Sequence, residues 1–402
     1  MNAAAFRALE RTVNAVVAEE ARTDLALGRV LRETPGLSPD DNAEIVRRAY
    51  AMIRHLRLVR HVAGVPGEPL SPWPEGAFAK LEAALAVVED RRPEFVPRGF
   101  APEVARRRFD TVARDFPATR FSLPDWLESK LRASLGRKFE AVAKALLDAP
   151  SCHLRVNTRK TDAGALLLAL RDEGVAATAA DDDALVAADR YAAMRSRAFD
   201  TGLFEVQDAG SRAVAPFLQV APGLRVVDAC AGEGGKTLHL SNLMSGKGRI
   251  LALDVEPRKL DTLRSRAARA DAQNIATETI VPGETWKKHA GTADRVLIDA
   301  PCSGTGVLRR QPEAKWRLTP EAVADRVALQ SAILDEAAFV AKPGGLIVYA
   351  TCSLLSEENE SQVAKFLARH PEVFELEDRR RVLPGADGDT DGFFMARLRR
   401  RG

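Results

Sequence analysis

Apolar residues recur at helical spacing through the first part of the chain. One set would line a single helix face: Phe6, Leu9, Val13, Val16 and Val17. Ser38, which precedes Pro39, predicts the start of a further helix because serine caps helix N-termini. A Pro- and Gly-rich stretch over residues 65–76 predicts a loop, after which helical spacing resumes. We therefore predict an all-helical domain over residues 1–117.

Basic residues decorate one of these predicted helices: Arg47, Arg48, Arg54, Arg57 and Arg60. We interpret these arginines as a solvated helix face, with an RNA-contacting face as the alternative. Both interpretations place the guanidinium groups at the surface of the protein.

From about residue 121 the pattern changes to that of a small mixed domain. The segment SLPDWLESKL (122–131) predicts a helix that Ser122 caps. The apolar stretch HLRVN (153–157) is followed by a predicted helix over residues 162–173 and by alternating short segments. We predict a small α+β module over residues 118–200.

Short apolar runs then alternate with helical stretches. The runs occupy residues 225–229, 249–254, 276–281, 294–299 and 345–351. Alternation of this kind predicts a parallel, doubly wound, Rossmann-like α/β sheet with helices on both faces, here over residues 201–402. Ligands of such sheets bind at the carboxyl ends of the strands.

Composition adds few constraints to this picture. The 402 residues carry a net charge of +3, which permits a nucleic-acid partner without indicating one. The four cysteines form no CxxC pair, so we predict no metal site. We also predict no membrane segment and a cytoplasmic location, because no apolar run is long enough to span a bilayer and no signal peptide is visible.

The first predicted strand of the sheet runs into a Gly-rich turn, DACAGEGGKT (228–237). A phosphate-binding loop would need glycine where Cys230 stands, and a dinucleotide fingerprint would need glycine where Thr237 stands. S-adenosylmethionine is the remaining ligand that uses such a turn, and a purely structural turn is the alternative. Asp254, at the end of the second strand, could accept the ribose hydroxyls, and Glu284, after the third, lies within reach of the adenine.

Two cysteines follow the last two predicted parallel strands. Cys302 lies in DAPCSGTG (299–306) and Cys352 in ATCS (350–353). Both loops should open onto one crevice, which would bring the two thiols close to each other and to the cofactor. Packing roles or a redox pair are the alternatives.

A thiolate in this crevice suits methylation of carbon 5 of cytosine. Attack on carbon 6 would make carbon 5 nucleophilic enough to take a methyl group from a sulfonium. Asp299 could then stabilise charge at the N3 edge of the base if it is protonated or shares a proton with the base. Lys236 could supply further positive charge.

Several motifs together resemble the RNA 5-methylcytosine methyltransferases of the Sun/Fmu (NOL/NOP/sun) family. They are SLPDWL (122–127), LRVN (154–157), VQDAGS (206–211), DACAGEGGKT (228–237), DAPCSGTG (299–306), RRQPEAKW (309–316), TCSLLSEENE (351–360) and DGFF (391–394). Gly232 and Glu233 depart from the family loop, which usually has Ala-Pro there, and Glu284 stands where the family usually has Asp.

The resemblance implies a class I methyltransferase in which Cys352 is the nucleophile and Cys302 assists product release. It also implies that Lys236 and Asp299 face the target base. The implied cofactor-binding residues are Cys230, Ala231, Gly232, Glu233, Gly234, Gly235, Lys236, Asp254, Glu284 and Asp299.

The implied partner is RNA, and by resemblance to the bacterial members it is ribosomal RNA. The N-terminal helices resemble the NusB-like RNA-binding domain of those members, and the module over 118–200 would also bind RNA. A two-cysteine arrangement separates this family from the DNA cytosine methyltransferases. Transfer RNA or another nucleic acid as substrate, and a non-catalytic RNA-binding assembly factor, are the alternatives.

Two basic segments are candidates for RNA contact or for the surface. The residues Arg309, Arg310, Lys315 and Arg317 could bind phosphates while Trp316 stacks on a base, and a solvated loop over a packed tryptophan is the alternative. The C-terminal arginines predict an edge strand followed by a charged tail: Arg397, Arg399, Arg400 and Arg401.

Overall fold

The computed structural model describes residues 1–402, apart from the side chains of residues 113–115. The chain forms two compact units. The first consists of Met1–Ala149 and Val307–Pro320, and the second consists of Pro150–Gly306 and Glu321–Gly402. The boundaries of these two units differ from those of the three predicted domains. The predicted domain boundaries at residues 117 and 200 stay a prediction. No helix in the described part of the chain is both long and apolar enough to cross a bilayer.

The helices are α1 (Ala3–Ala18), α2 (Thr23–Arg32), α3 (Pro39–Arg54), α4 (Leu56–Ala63), α5 (Ala77–Val88), α6 (Pro102–Asp115), α7 (Pro117–Arg120), α8 (Asp125–Leu135), α9 (Phe139–Ala145), α10 (Ala163–Asp172), α11 (Arg190–Met194), α12 (Arg197–Asp200), α13 (Ala209–Phe217), α14 (Gly235–Leu243), α15 (Pro257–Arg269), α16 (Thr285–His289), α17 (Ala314–Arg317), α18 (Pro320–Ala337) and α19 (Glu360–Arg369). Short 3-10 turns occupy Gly136–Lys138, Thr305–Val307 and Ala338–Val340.

The strands are β1 (Cys152–Val156), β2 (Ala177–Asp181), β3 (Ala184–Ala187), β4 (Phe204–Val206), β5 (Arg225–Asp228), β6 (Arg249–Asp254), β7 (Ile275–Thr279), β8 (Ala293–Asp299), β9 (Ala341–Thr351), β10 (Phe374–Val382) and β11 (Phe393–Arg400).

The first unit is helical, as its periodicity predicts, and one of its two predicted caps is confirmed. The Ser38 hydroxyl accepts a hydrogen bond from the backbone N–H of Asp41, whose carboxylate accepts from the backbone N–H of Ser38 in return. The predicted cap at Ser122 is wrong. Its hydroxyl accepts from the backbone N–H of Arg57 instead, and α8 begins at Asp125 without a side-chain cap.

The predicted solvated or RNA-contacting face is wrong for three of the five arginines of α3 and α4, whereas Arg47 is exposed and Arg57 is half-buried. Arg48, Arg54 and Arg60 are buried. Arg48 pairs with the buried carboxylate of Glu82, with 2.9 Å between Nη1 and Oε2. Arg60 donates to the carbonyl oxygen of Ser71 over 2.6 Å. Helical periodicity identifies the apolar face, but it does not reveal which cations find acceptors beneath the surface.

The segment 307–320 lies within the helical unit, although it follows β8 in the chain. Arg54 Nε donates to the carbonyl oxygen of Arg309 over 2.8 Å, and Lys315 Nζ donates to the carbonyl oxygen of Arg54 over 2.6 Å. Arg317 donates to the carbonyl oxygen of Ala21 over 2.8 Å. Trp316 packs against the helical core. Arg309 and Lys315 are buried, so the phosphate-binding role that we predicted for them is wrong. The base-stacking role predicted for Trp316 is also wrong, because its ring packs against the helical core.

The second unit begins with a small antiparallel sheet in the order β2-β3-β1-β4. Helix α10 starts where the sequence predicts a helix, and Asp162 caps it by accepting from the backbone N–H of Ala165 over 2.8 Å. Leu154, Val156 and Leu166 are among the buried residues that join this helix to the sheet. The α+β character predicted for this part of the chain agrees with these elements.

A seven-stranded sheet in the order β10-β11-β9-β8-β5-β6-β7 forms the rest of the second unit. The strands β9, β8, β5, β6 and β7 are parallel neighbours, and they correspond to the five predicted apolar runs. The chain order reverses beside β5, with β6 and β7 on one side and β8 and β9 on the other. The Rossmann-like fold is therefore confirmed, and the reversal opens a crevice at the carboxyl ends of β5 and β8.

The C-terminal strand β11 is an interior strand, not the edge strand that we predicted. It pairs antiparallel with β9 on one side and with β10 on the other. The edge is formed by β10, whose sequence FELEDRRRV places exposed charges along most of its length. Charges of this kind protect an edge strand from pairing with other chains. They also interrupt the apolar pattern, so β10 could not be recognised as a strand from its sequence.

Candidate active site

The Gly-rich turn joins the end of β5 to the start of α14 and exposes its backbone to the crevice. Gly232 and Gly234 have φ values of 54° and 86°, a left-handed region that favours glycine. A Cβ on Gly234 would lie 2.5 Å from Cγ of Leu263, so this position also needs glycine for close packing against α15. No atom lies within 4 Å of the place that a Cβ on Gly232 would occupy. The space beside Gly232 is therefore open.

Asp254 fastens this turn to the end of β6. Its Oδ2 accepts a hydrogen bond from the backbone N–H of Gly232 over 2.9 Å, and its Oδ1 accepts from the backbone N–H of Glu256 over 2.9 Å. Each carboxylate oxygen has a second lone pair, so Asp254 can still accept from a ligand hydroxyl. The predicted cofactor residues Gly232 and Asp254 are thus in direct contact.

Asp228 lies at the bottom of the turn and is fully buried. Its Oδ2 accepts from the Thr237 hydroxyl over 2.7 Å. Burial raises the pKa of Asp228 to about 7, with a smaller contribution from the charge of Asp299. Burial also raises the pKa of the neighbouring Cys230 thiol well above its ordinary value, so Cys230 offers the site a neutral side chain.

Lys236 and Asp299 form an ion pair across the crevice between α14 and the end of β8. Lys236 Nζ donates to Asp299 Oδ2 over 2.6 Å and also lies 5.1 Å from the centre of the Phe393 ring. Burial alone would lower the pKa of Lys236, but the carboxylate of Asp299 raises it by more. The amine is therefore held as an ammonium ion beside the carboxylate, which agrees with the prediction that the two residues act together.

The two predicted reactive cysteines lie side by side. The Sγ atoms of Cys302 and Cys352 are 3.3 Å apart, within hydrogen-bonding distance for thiols. The pKa of Cys302 is raised well above its ordinary value, first by its hydrogen bond with Cys352 and then by burial. The contact can be donated from either sulfur, so a proton on Cys302 can form a hydrogen bond to a thiolate on Cys352.

Close packing of backbone holds the Cys302 loop against the strand that carries Cys352. The backbone N–H of Gly306 donates to the carbonyl oxygen of Cys352 over 2.8 Å, and the N–H of Gly392 donates to the carbonyl oxygen of Gly306 over 2.9 Å. A Cβ on Gly306 would lie 2.2 Å from the carbonyl oxygen of Gly392. The DGFF segment (391–394) thus packs directly against the loop that follows Cys302.

The structure also adds Glu358, a residue to which we assigned no role from the sequence. Glu358 is fully buried and accepts hydrogen bonds from Ser303 and Ser353, the residues that directly follow the two cysteines. The signal in the sequence is weak, because an acidic residue in SEENE (356–360) looks like an ordinary surface position.

Two predicted cofactor residues lie at the exposed rim of the site. Glu233 and Glu284 are exposed, and Glu284 directly precedes α16 without capping it. The turn residues Ala231 and Gly235 lie where they were predicted, between β5 and the first turn of α14. Among the described residues, no three His, Cys, Asp or Glu side chains are grouped closely enough to hold a metal ion.

The sheet is Rossmann-like, with a Gly-rich turn after its first strand in the chain and an acidic residue at the end of its second, and two thiols are in contact after β8 and β9. These features together define a class of protein. That class is the methyltransferases. Two family models match the chain: 16S rRNA methyltransferase RsmB/F over residues 215–399, and the ferredoxin-like domain of RsmF/B-like methyltransferases over residues 123–191.

The chain belongs to this RsmB/F family, which confirms the predicted Sun/Fmu resemblance. It is 34% identical to the ribosomal RNA small subunit methyltransferase B of Pseudomonas putida over 395 residues, an alignment that covers 94% of this chain and 86% of that protein. The probable ribosomal RNA small subunit methyltransferase B of Bacillus subtilis is also 34% identical, over 71% of this chain and 68% of that protein.

A solved structure shares the fold. NSun6 from Pyrococcus horikoshii, solved with SFG, matches with a TM-score of 0.61 and 22% identity, over 69% of this chain and 98% of that one. At this level of identity the match concerns the fold alone. It supports the Rossmann-like architecture that the strand order shows.

Proposed function

We propose that this protein is a cytoplasmic, S-adenosylmethionine-dependent enzyme that methylates carbon 5 of a cytosine in 16S ribosomal RNA. The observation that carries the proposal is the 3.3 Å contact between Cys302 and Cys352 beside the ion pair of Lys236 and Asp299. A lone thiol would suit many roles. Two thiols in contact suit a reaction that must both form and release a covalent adduct.

The residues of the turn fit the cofactor. The open space beside Gly232 leaves room for the amino-acid end of S-adenosylmethionine, and the carboxylate of Asp254 contacts the same turn and can accept ribose hydroxyls. The implied cofactor set also includes Cys230, Ala231 and Lys236. When bound, S-adenosylmethionine would supply an electrophilic methyl group on a sulfonium.

Cys352 would begin the reaction as a thiolate. It attacks carbon 6 of the cytosine, so that a sulfur–carbon bond forms and the electron pair of the C5–C6 double bond moves towards carbon 5. The ammonium of Lys236 would supply a proton through Asp299, to whose Oδ2 it is hydrogen-bonded, and Asp299 would share that proton with N3 and so disperse the developing charge. Carbon 5 then takes the methyl group, and the bond between that group and the sulfonium breaks.

Release reverses the attack. The proton on carbon 5 must leave as a base takes it, the double bond then re-forms, and Cys352 departs from carbon 6 with the electron pair. Cys302 would assist this step, since its thiol lies in contact with the departing sulfur and can stabilise it by donating a hydrogen bond. The separate roles of the two cysteines, attack by Cys352 and release assisted by Cys302, are those that the family resemblance implies.

The substrate follows from the relatives, whose names specify small-subunit ribosomal RNA. A stacked base cannot reach a thiol in the crevice, so the target cytosine must be unpaired or flipped out. The predicted domains over 1–117 and 118–200 would bind the RNA around it.

Trapping with a modified base tests the proposal. Ribosomal RNA that contains 5-azacytidine should form a covalent adduct with the wild-type protein and S-adenosylmethionine, because this base cannot lose a proton from position 5. We expect Cys352→Ala to abolish the adduct and Cys302→Ala to retain it. Cys152→Ala, which changes a thiol on β1, is the matched control. Full methylation by Cys352→Ala would overturn the mechanism, and equal transfer to matching DNA would overturn the substrate.

A further inference from the structure

A buried carboxylate connects the two cysteine loops. Glu358 is 0% exposed, and its Oε1 accepts from the backbone N–H of Ser303 over 2.8 Å and from the side-chain amide of Gln330 over 2.9 Å. Its Oε2 accepts from the Ser303 hydroxyl over 2.5 Å and also from the Ser353 hydroxyl. One side chain thus holds the residue after Cys302 and the residue after Cys352.

From this geometry we propose that Glu358 is a positioning residue, which fixes the separation of the Cys302 and Cys352 sulfur atoms and biases the pair towards ionisation of Cys352. Glu358 contacts neither sulfur by hydrogen bond, so it acts through Ser303 and Ser353. The effect expected on methyl transfer rests on the proposed function, whereas the effect expected on the thiols does not.

Hydrogen bonds from several elements make this connection specific. Ser353 also approaches the Thr305 hydroxyl at 3.2 Å, and Thr305 in turn accepts from the backbone N–H of Leu354 over 2.8 Å. Gln330 of α18 donates to the carbonyl oxygen of Pro301 over 3.0 Å, directly before Cys302. The carboxylate therefore lies at the centre of a network that reaches both cysteine loops and one helix behind them.

Charge gives Glu358 an influence beyond shape. The groups that donate hydrogen bonds to Glu358 are hydroxyls, an amide and a backbone N–H, and all of them are neutral. The negative charge of the carboxylate is therefore not balanced by a cation among its hydrogen-bond donors, and it acts electrostatically on the neighbouring thiols. That charge adds to the other causes that raise the pKa of Cys302. Other titratable groups around the thiol pair include Tyr349 on β9, whose pKa burial raises, and the ion pair of Lys236 and Asp299. Cys230 interacts with Tyr349, and Asp228 interacts with Lys236.

Glu358→Gln separates charge from shape. Glutamine keeps the size of the side chain and one acceptor oxygen, and the serine hydroxyls can rotate to accept from its amide. We expect the variant to fold, while Cys302 loses a neighbouring negative charge. Glu372→Gln is the matched control, because it removes an exposed carboxylate of the same unit.

The first measurement needs no RNA. Wild type and variants are alkylated with iodoacetamide across a pH series, and peptide mass spectrometry gives the rate at Cys302 and at Cys352. We expect Glu358→Gln to lower the pH midpoint for Cys302 by about one unit, as for loss of a nearby like charge. A role in folding alone would lower the melting temperature without moving this midpoint, and an unchanged midpoint would overturn the proposal.

The second measurement uses methyl transfer to ribosomal RNA. We expect Glu358→Gln to lower kcat about tenfold and to leave KM for RNA nearly unchanged, because the reacting groups shift but the RNA contacts do not. An unchanged kcat, or a change confined to KM, would contradict the positioning role. If wild type transfers no methyl group although the thiol midpoints shift as expected, the proposed function fails and the positioning role of Glu358 stands.

Ser303→Ala keeps the proposal testable if Glu358→Gln does not fold. This variant removes one hydroxyl donor to Glu358 but keeps the bond from the backbone N–H of residue 303. We expect a smaller shift in the same direction at Cys302. A Cys302 midpoint equal to that of wild type would overturn the connection through Ser303.

Discussion

Lys315 is a buried amine whose titration should be visible in the stability of the helical unit. Burial, followed by the charge of Arg54, lowers the pKa of Lys315 to about 7, whereas an unfolded chain would return it to about 10.4. Between these values the unfolded state binds more protons than the folded state. The free energy of unfolding should therefore rise with pH from about 7 to about 10.4.

The magnitude follows from the two pKa values. Between pH 6.5 and pH 9.5, Lys315 alone should add roughly 3 kcal/mol to the free energy of unfolding. Lys315→Met abolishes the titration with a side chain of similar length, and it loses a hydrogen bond to Arg54 worth about 1 kcal/mol. We expect the variant to be more stable than wild type by roughly 3 kcal/mol at pH 6.5 and about equal to it at pH 9.5.

Tryptophan fluorescence can report on this unit separately. Trp73, Trp126 and Trp316 lie in the helical unit, whereas Trp286 lies in the other unit. Urea unfolding in a Trp286→Phe background, at both pH values, gives the free energies. Lys138→Met, at an exposed position of the same unit, is the matched control. If Lys315→Met retains the pH dependence of wild type, the reasoning from burial is refuted.

Two further expectations concern the methyltransferase unit. Gly306→Ala would place its Cβ 2.2 Å from the carbonyl oxygen of Gly392 and 2.8 Å from that of Cys352, so we expect methyl transfer to fall by about 100-fold. Incorporation of tritiated methyl groups measures the rate of methyl transfer. A near-normal rate would show that the loops can shift to accommodate the added Cβ without loss of activity. Since the pKa of Asp228 is raised to about 7, its effect on stability should become unfavourable as pH rises from about 4 to 7, by up to about 4 kcal/mol. Asp228→Asn should flatten that part of a thermal-unfolding profile, and equal slopes for both proteins would contradict the assignment.

The catalytic half of the site could be predicted because a parallel sheet converts sequence position into spatial position. Each apolar run ends at the same edge of the sheet, so Cys302 and Cys352 had to lie near each other although 50 residues separate them. The positions of the strand ends and of the Gly-rich turn were sufficient for this prediction, and both can be recognised in the sequence. The structure adds a contact between Lys236 and Asp299, which the resemblance had only assigned to the same base.

The buried polar contacts could not be predicted in this way. Arg48 and Glu82 bury their charges together, but they are 34 positions apart on helices whose relative placement the sequence does not show. Glu358 is hidden for a related reason, since its donors come from two loops and a helix. The interior position of β11 was missed because its outer neighbour β10 is too charged to resemble a strand of the core.

The segment 307–320 illustrates how easily a basic motif can be misread. RRQPEAKW (309–316) contains three cations and a tryptophan, a composition typical of RNA contact, yet Lys315 and Arg309 are buried among helices. Substitution of the buried Arg309 should weaken RNA binding by destabilising the helical unit, so a loss of affinity would not identify a phosphate contact. The salt dependence would separate the two cases. Loss of one contact with single-stranded RNA lowers the slope of log K against log salt by about 0.7, whereas partial unfolding lowers the fraction of competent protein at every salt concentration.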